Sequence, residues 1–87
     1  MKGKGKSDSK NLQKDAAYYQ QKLGQRIKEL RLKKGYTSYE YFAYEHNISR
    51  AQFGRYEKGQ DLRFSSLIKI IQAFDMTLQE FFSEGFD

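Results

Sequence analysis

Two arginines five positions apart, Arg50 and Arg55, carry the most specific chemistry in the sequence. A guanidinium presents a fixed fork of donors, which matches O6 and N7 of guanine in the major groove of duplex DNA. Ala51 is small enough to allow close approach, or to touch a thymine methyl. Gln52 and Lys58 suit phosphate oxygens, contacts that set register without reading sequence. All five residues lie in ISRAQFGRYEKG (48–59), which reads as one short helix over 49–58. Ser49 is a good N-cap, and Gln52 completes an S-x-x-Q capping box. Ile48 and Phe53 are placed as a hydrophobic staple, and Gly59 suits a left-handed C-terminal cap. Phe53 and Tyr56 define an inward face, with Arg50, Ala51, Arg55 and Lys58 mainly on the other side. Gly54, inside the helix, costs about 1 kcal/mol against alanine. Close approach to another surface would explain it, and so would helix packing. By themselves these residues equally describe a capped surface helix with solvated charges. A helix this short is marginal alone, so its scaffold decides between the readings.

The scaffold reads as four further helices. Over residues 15–34, Leu23, Ile27 and Leu30 form an inward stripe that Tyr19 extends. Lys22, Arg26, Lys33 and Lys34 make its polar face and read as ordinary surface charges, and Gly35 ends it. The second helix covers 38–46. A T-x-x-E capping box would join Thr37 to Glu40, with Tyr36 and Tyr41 as the staple. Phe42 is its main core residue, Ala43 permits close helix approach, and Asn47 tolerates the left-handed conformation that ends a helix. The link to Ser49 is so short that the two helices cross steeply, as in a helix-turn-helix. The fourth helix, 64–74, carries Phe64, Leu67, Ile68, Ile70, Ile71 and Phe74, which makes it the central core helix. The fifth, 77–83, opens with a Thr77–Glu80 capping box and a Met76–Phe81 staple.

Composition narrows the function classes. The chain has 87 residues, a net charge of +5, no cysteine and no proline. Its length fits one domain, and no disulfide or thiolate metal site can form. His46 is the only histidine and reads as a packing or surface residue; no metal or cofactor site is expected. No apolar run approaches the roughly 20 residues of a membrane span, and no signal-peptide core begins the chain. The expected location is therefore cytoplasmic, on the nucleoid. Residues 1–35 hold 11 Lys and Arg against 3 Asp and Glu, whereas residues 36–87 hold 5 against 8. Within that acidic part, Arg50, Arg55, Lys58 and Arg63 form a basic island opposed only by Glu57 and Asp61. A basic arm and a basic island are the electrostatic footprint of a nucleic-acid binder. Residues 1–14 read as a flexible basic tail and 15–87 as the binding domain. Nothing in the tail carries sequence-reading chemistry. No cysteine, one isolated histidine and no Gly-rich phosphate loop argue against an enzyme.

The order of helices and the residues within them resemble the lambda-repressor-like, XRE-type helix-turn-helix family. LGQRIKELRLKKG (23–35), ISRAQFGRYEKG (48–59) and LIKIIQAFDMTLQEFF (67–82) carry the resemblance. It implies an all-α, five-helix lambda-repressor-like bundle whose third helix enters the major groove. The family's base-reading slots fall on Arg50, Ala51 and Arg55, and its phosphate slots on Gln52, Lys58 and the loop near Arg63. It also pairs an arginine late in helix one with the glutamate of the Y-E-x-G segment, here Arg31 and Glu57. That pairing makes Glu57 structural. The chain departs from the pattern at several points. Helix one to helix two carries one extra residue, and the family alignment makes Ser38 the cap where capping-box chemistry favours Thr37. Tyr39 stands in a phosphate-contacting slot often held by glutamine; a tyrosine hydroxyl can still reach a phosphate oxygen, but the base-side buttressing by glutamine is lost. His46 replaces a usual leucine and Asn47 a usual glycine, and Arg63 stands where a serine cap is common.

The expected function is sequence-specific binding of double-stranded DNA by a small bacterial or phage-type transcriptional regulator. One such domain reads few base pairs, so a homodimer is expected, at least on DNA. Helix five with Phe81, Phe82 and Phe86 is its expected interface. No small-molecule ligand is evident. The alternative is a protein–protein interaction module, or antitoxin-like adaptor, on the same fold.

Overall fold

The computed structural model of the chain describes residues 14–87. Of the basic tail expected over residues 1–14, all but Lys14 lies outside them. The described residues form five helices and no strand: α1 Ala16–Lys33, α2 Tyr39–Glu45, α3 Arg50–Glu57, α4 Phe64–Ala73 and α5 Leu78–Phe81. The architecture is the all-α, five-helix bundle that the family resemblance implies.

The helix ends follow from local chemistry. Asp15, Ser38, Ser49 and Thr77 each accept a hydrogen bond from a backbone N–H of the helix they cap. At Thr77 the capping box is complete: Glu80 N donates to Oγ1 at 3.1 Å and Thr77 N to Oε1 of Glu80 at 2.9 Å. At α2 the cap is Ser38, which accepts from Tyr41 N at 3.2 Å, so the Thr37–Glu40 box does not form. Two adequate hydroxyls stand side by side, and the register that buries Phe42 and Ala43 selects the second. At α3 only half the expected box forms. Ser49 Oγ accepts from Gln52 N at 3.3 Å, while the Gln52 side chain accepts from the Tyr56 hydroxyl at 3.5 Å. Four helices stop in the same way. Gly35, Asn47, Gly59 and Asp75 all have positive φ. Each donates back to the carbonyl three residues earlier, and the following residue to the carbonyl five earlier, the pair of bonds that satisfies a helix end.

Phe42, in α2, is the hub of the core. Its ring lies 5.2 Å from Phe53 of α3 and 5.1 Å from Phe74, which follows α4. Ile27, Leu30, Leu67, Ile70, Ile71 and Phe81 complete the buried set. α4 is less central than its composition suggests, because Phe64, its first residue, is 67% exposed. α5 ends at Phe81 rather than 83, since the Ser83 amide and hydroxyl both turn back onto the Glu80 carbonyl.

α1 supplies two features that its own periodicity does not reveal. Arg26, expected on the polar face, is 6% exposed. Its guanidinium donates to the Phe81 carbonyl at 2.8 Å and the Glu80 carbonyl at 3.1 Å. The last carbonyls of a helix lack intrahelical partners, so Arg26 caps a helix too short to cap itself. Gly24 marks the contact with α3. A Cβ there would lie 2.6 Å from the Tyr56 carbonyl oxygen and 2.7 Å from that of Glu57. Gly24→Ala would gain about 1 kcal/mol of helix propensity but overpack fixed backbone, at about 1–3 kcal/mol. Net destabilisation is expected, read as a lower urea midpoint. An unchanged or higher midpoint would show that α1 and α3 do not approach this closely.

Candidate nucleic-acid interface

α3 is oriented by what it buries. Phe53 is fully buried, and Glu57, one turn later, points the same way. The opposite side then carries Ala51 and Arg55 with Lys58 beside them, while Arg50, three residues before Phe53, stands in the first turn at the edge of the buried face; all four are exposed. Glu57 is held by Arg31 of α1 through both carboxylate oxygens, with Nε–Oε2 at 2.7 Å and Nη2–Oε1 at 3.0 Å. The two side chains are only 5% and 8% exposed. Arg31 also donates to the Tyr36 carbonyl at 2.8 Å, reaching the turn between α1 and α2. The fork geometry places two parallel charge-assisted bonds where neither charge is left alone.

The electrostatic result is a set of cations without ion-pair partners among the described residues. Ion pairs among the described residues use Arg26, Arg31 and Lys34 as their cations. Arg50, Arg55, Lys58 and Arg63 are in none of them. Asp61, the other anion of the island, accepts from the Leu62 amide at 2.9 Å. Arg63 is exposed at the N-terminus of α4 and makes no side-chain cap there. Gln52 is exposed beside a crevice of about 90 Å³ between α3 and α4, shared with Ser49, Tyr56, Ser66 and Lys69. Tyr39, the first residue of α2, is half-buried against α3 at Gly54. Ala51, Arg55 and Lys58 therefore share one side of α3, with Arg50 exposed in its first turn and Gln52 exposed beside α4; Tyr39 packs on α3 at Gly54, and Arg63 stands apart at the start of α4.

Other supports hold the turns on either side of α2. Lys69 of α4 donates to the Asn47 carbonyl at 2.8 Å and so pins the turn between α2 and α3. His46 packs its ring 4.2 Å from Phe42 and bonds through Nδ1 to the Phe42 carbonyl at 2.9 Å. Tyr36 donates to Glu45 Oε1 at 2.5 Å. Hydrogen bonds from Tyr36 and then Tyr41 hold the Glu45 carboxyl below its ordinary range. The same bonds push both tyrosine hydroxyls up. The α1–α2 turn is thus tied to the end of α2 as well as to Arg31.

Residues 27–81 match the family model described as helix-turn-helix. The chain belongs to the XRE-type helix-turn-helix family. A solved structure, the restriction-modification controller protein C.AhdI from Aeromonas hydrophila, is 33% identical with a TM-score of 0.65. The match covers 72% of this chain and 96% of that one. No curated protein matches. As a member of this helix-turn-helix family, the chain is a DNA-binding transcription regulator and not an enzyme. Among the described residues no helix is long and apolar enough to cross a membrane.

The Arg31–Glu57 pair generates a stability prediction. Glu57→Ala leaves a buried guanidinium unpaired, which costs about 3–5 kcal/mol. The double replacement Arg31→Met with Glu57→Leu should recover most of that loss, because an apolar pair of similar volume avoids the desolvation penalty. Urea denaturation of both variants checks this; a double variant as unstable as Glu57→Ala would contradict it.

Proposed function

We propose that this regulator binds a specific duplex sequence by laying α3 in the major groove. The observation that carries the reading is that Arg50, Ala51 and Arg55 are exposed on α3, with both arginines outside the ion pairs and Glu57 held by Arg31. Arg50 and Arg55 form bidentate bonds to guanines, and Ala51 lets the helix approach or meets a thymine methyl. Gln52, Lys58 and Arg63 bind phosphates and fix the register. The likeness to C.AhdI supports a controller-type role, in a cytoplasmic protein working on the nucleoid.

Two copies act together on DNA. An apolar groove of about 480 Å³ is lined by Ala16, Tyr19, Leu23, Phe82 and Phe86. Tyr19 and Phe82 are 42% and 44% exposed, whereas Phe81 is fully buried in the core. The interface therefore uses Phe82 and Phe86 with α1, and not Phe81. A two-fold dimer would present two α3 helices to half-sites about one helical turn, roughly 34 Å, apart.

Fluorescence anisotropy with duplexes selected from a random pool tests the reading. Arg50→Ala and Arg55→Ala should each weaken binding about 5- to 150-fold, from about 1–3 kcal/mol per bidentate pair. Each should also relax preference at its own base position. Lys58→Ala should weaken all duplexes alike and reduce the salt slope by about one. No binding to any duplex at low salt would instead favour an interaction module that binds protein alone.

The dimer has its own check. Phe82→Glu should shift the sedimentation equilibrium towards monomer while far-ultraviolet circular dichroism stays helical, and a palindromic site should lose its advantage over a single half-site. A parent chain that stays monomeric on a palindromic duplex would sink the dimer.

A further inference from the structure

The contact between Tyr39 and Gly54 has no counterpart in a simple phosphate-binding role for Tyr39. A Cβ built on Gly54 would lie 2.8 Å from Cε1 of Tyr39, 3.0 Å from Cζ and 3.1 Å from the hydroxyl oxygen. The tip of the ring is thus seated on the backbone of α3, at a glycine that is itself buried. Glycine in mid-helix is unfavourable, so the site is kept free of a side chain at some cost. Gly54 stands four residues after Arg50, three after Ala51 and four before Lys58, on adjoining rows of one helix face. It directly precedes Arg55.

The geometry points to Tyr39 as a positioning residue for recognition, acting through Gly54. This rests on the proposal that α3 reads the major groove. Ring and glycine form a size-matched pair that sets the separation of α2 and α3. The separation in turn sets the depth and angle at which Arg50 and Arg55 meet base edges. Bidentate bonds depend on alignment at both donors, so a small shift of α3 weakens base contacts more than phosphate contacts. A methyl at position 54 would push the ring tip out, because the ring can swing whereas the backbone cannot. A smaller side chain at position 39 would let α3 settle inward.

The test compares the parent chain with Tyr39→Phe, Tyr39→Leu, Gly54→Ala and the double variant that combines Tyr39→Leu with Gly54→Ala. Each is titrated with the selected duplex and with random duplex, and its base preferences are profiled. Tyr39→Phe keeps the ring and should keep the parent's base profile, losing less on the selected duplex than Tyr39→Leu. Tyr39→Leu and Gly54→Ala should each lose at least about tenfold on the selected duplex, with flattened preference at the Arg50 and Arg55 positions. Random duplex should be bound nearly as before. The double variant should be no weaker than the worse single variant, since the two residues act as one contact. Three results would overturn the proposal: a Tyr39→Phe loss equal to that of Tyr39→Leu, which marks a hydroxyl–phosphate contact; equal losses on both duplexes; or single-variant losses that multiply in the double variant. A Gly54→Ala chain that fails to fold leaves Tyr39→Leu and Tyr39→Phe to decide. If the parent binds no duplex, the groove-reading proposal itself fails and the positioning role with it. The Gly54 α-proton shifts, compared between parent and Tyr39→Leu, then report on the packing contact alone.

Discussion

The structure depends on one buried ion pair. Arg31 reaches from α1 and holds Glu57, the last residue of α3, by both oxygens. The net stability of a buried pair is small, because desolvation offsets attraction. Its geometric effect is larger. An eight-residue helix has little rotational preference of its own. With Phe53 and Glu57 both held inward, only one rotation of α3 is left, and it turns Ala51 and Arg55 outward. The same bond removes the carboxylate that would otherwise lie among Arg50, Arg55 and Lys58. Orientation and electrostatics of the face thus have a common origin.

α1 serves as a spine with two buried arginine arms. Arg31 reaches α3, and Arg26, five residues earlier, reaches the carbonyls that end α5. Both guanidiniums bond to groups on elements too short to stand alone. Gly24 complements the two reaches by allowing the α1 backbone to touch the end of α3. Around this spine the loops are held tightly by local means. Gly35, Asn47, Gly59 and Asp75 all take positive φ, so each chain reversal also satisfies the carbonyls of the helix before it.

Local signals are legible in the sequence, and partner-dependent ones are not. The five helices, the glycine ends at Gly35 and Gly59, the Thr77–Glu80 box and the burial of Phe42 can be read, because each depends on neighbours a few residues away. Arg26 reads as a solvated charge, since periodicity cannot show that a helix end lies over that position. Gly24 carries no signal, because its requirement is set by the backbone of another helix. Capping-box chemistry favours Thr37, and the packing of Phe42 selects Ser38 instead. Phe81 and Phe82 are adjacent and chemically alike, and the turn of α5 decides that Phe81 enters the core while Phe82 faces the groove. The ion pair of Arg31 and Glu57 follows from family resemblance and not from spacing.

The proposed dimer and the proposed reading helix meet on the same stretch of α1. Ala16, Tyr19 and Leu23 line the apolar groove. Gly24 abuts the carbonyls of Tyr56 and Glu57, and Gln21 lies against Gly59. Two successive residues, Leu23 and Gly24, therefore face the apolar groove and the end of α3. A helix transmits position stiffly over such a distance, because its backbone hydrogen bonds leave few soft torsions. In a two-fold assembly built on this groove, the separation of the two α3 helices is set by α1 rather than by a loop. Half-site spacing would then be a property of the folded monomer, fixed before DNA is met. Such preorganisation lowers the ordering cost of binding.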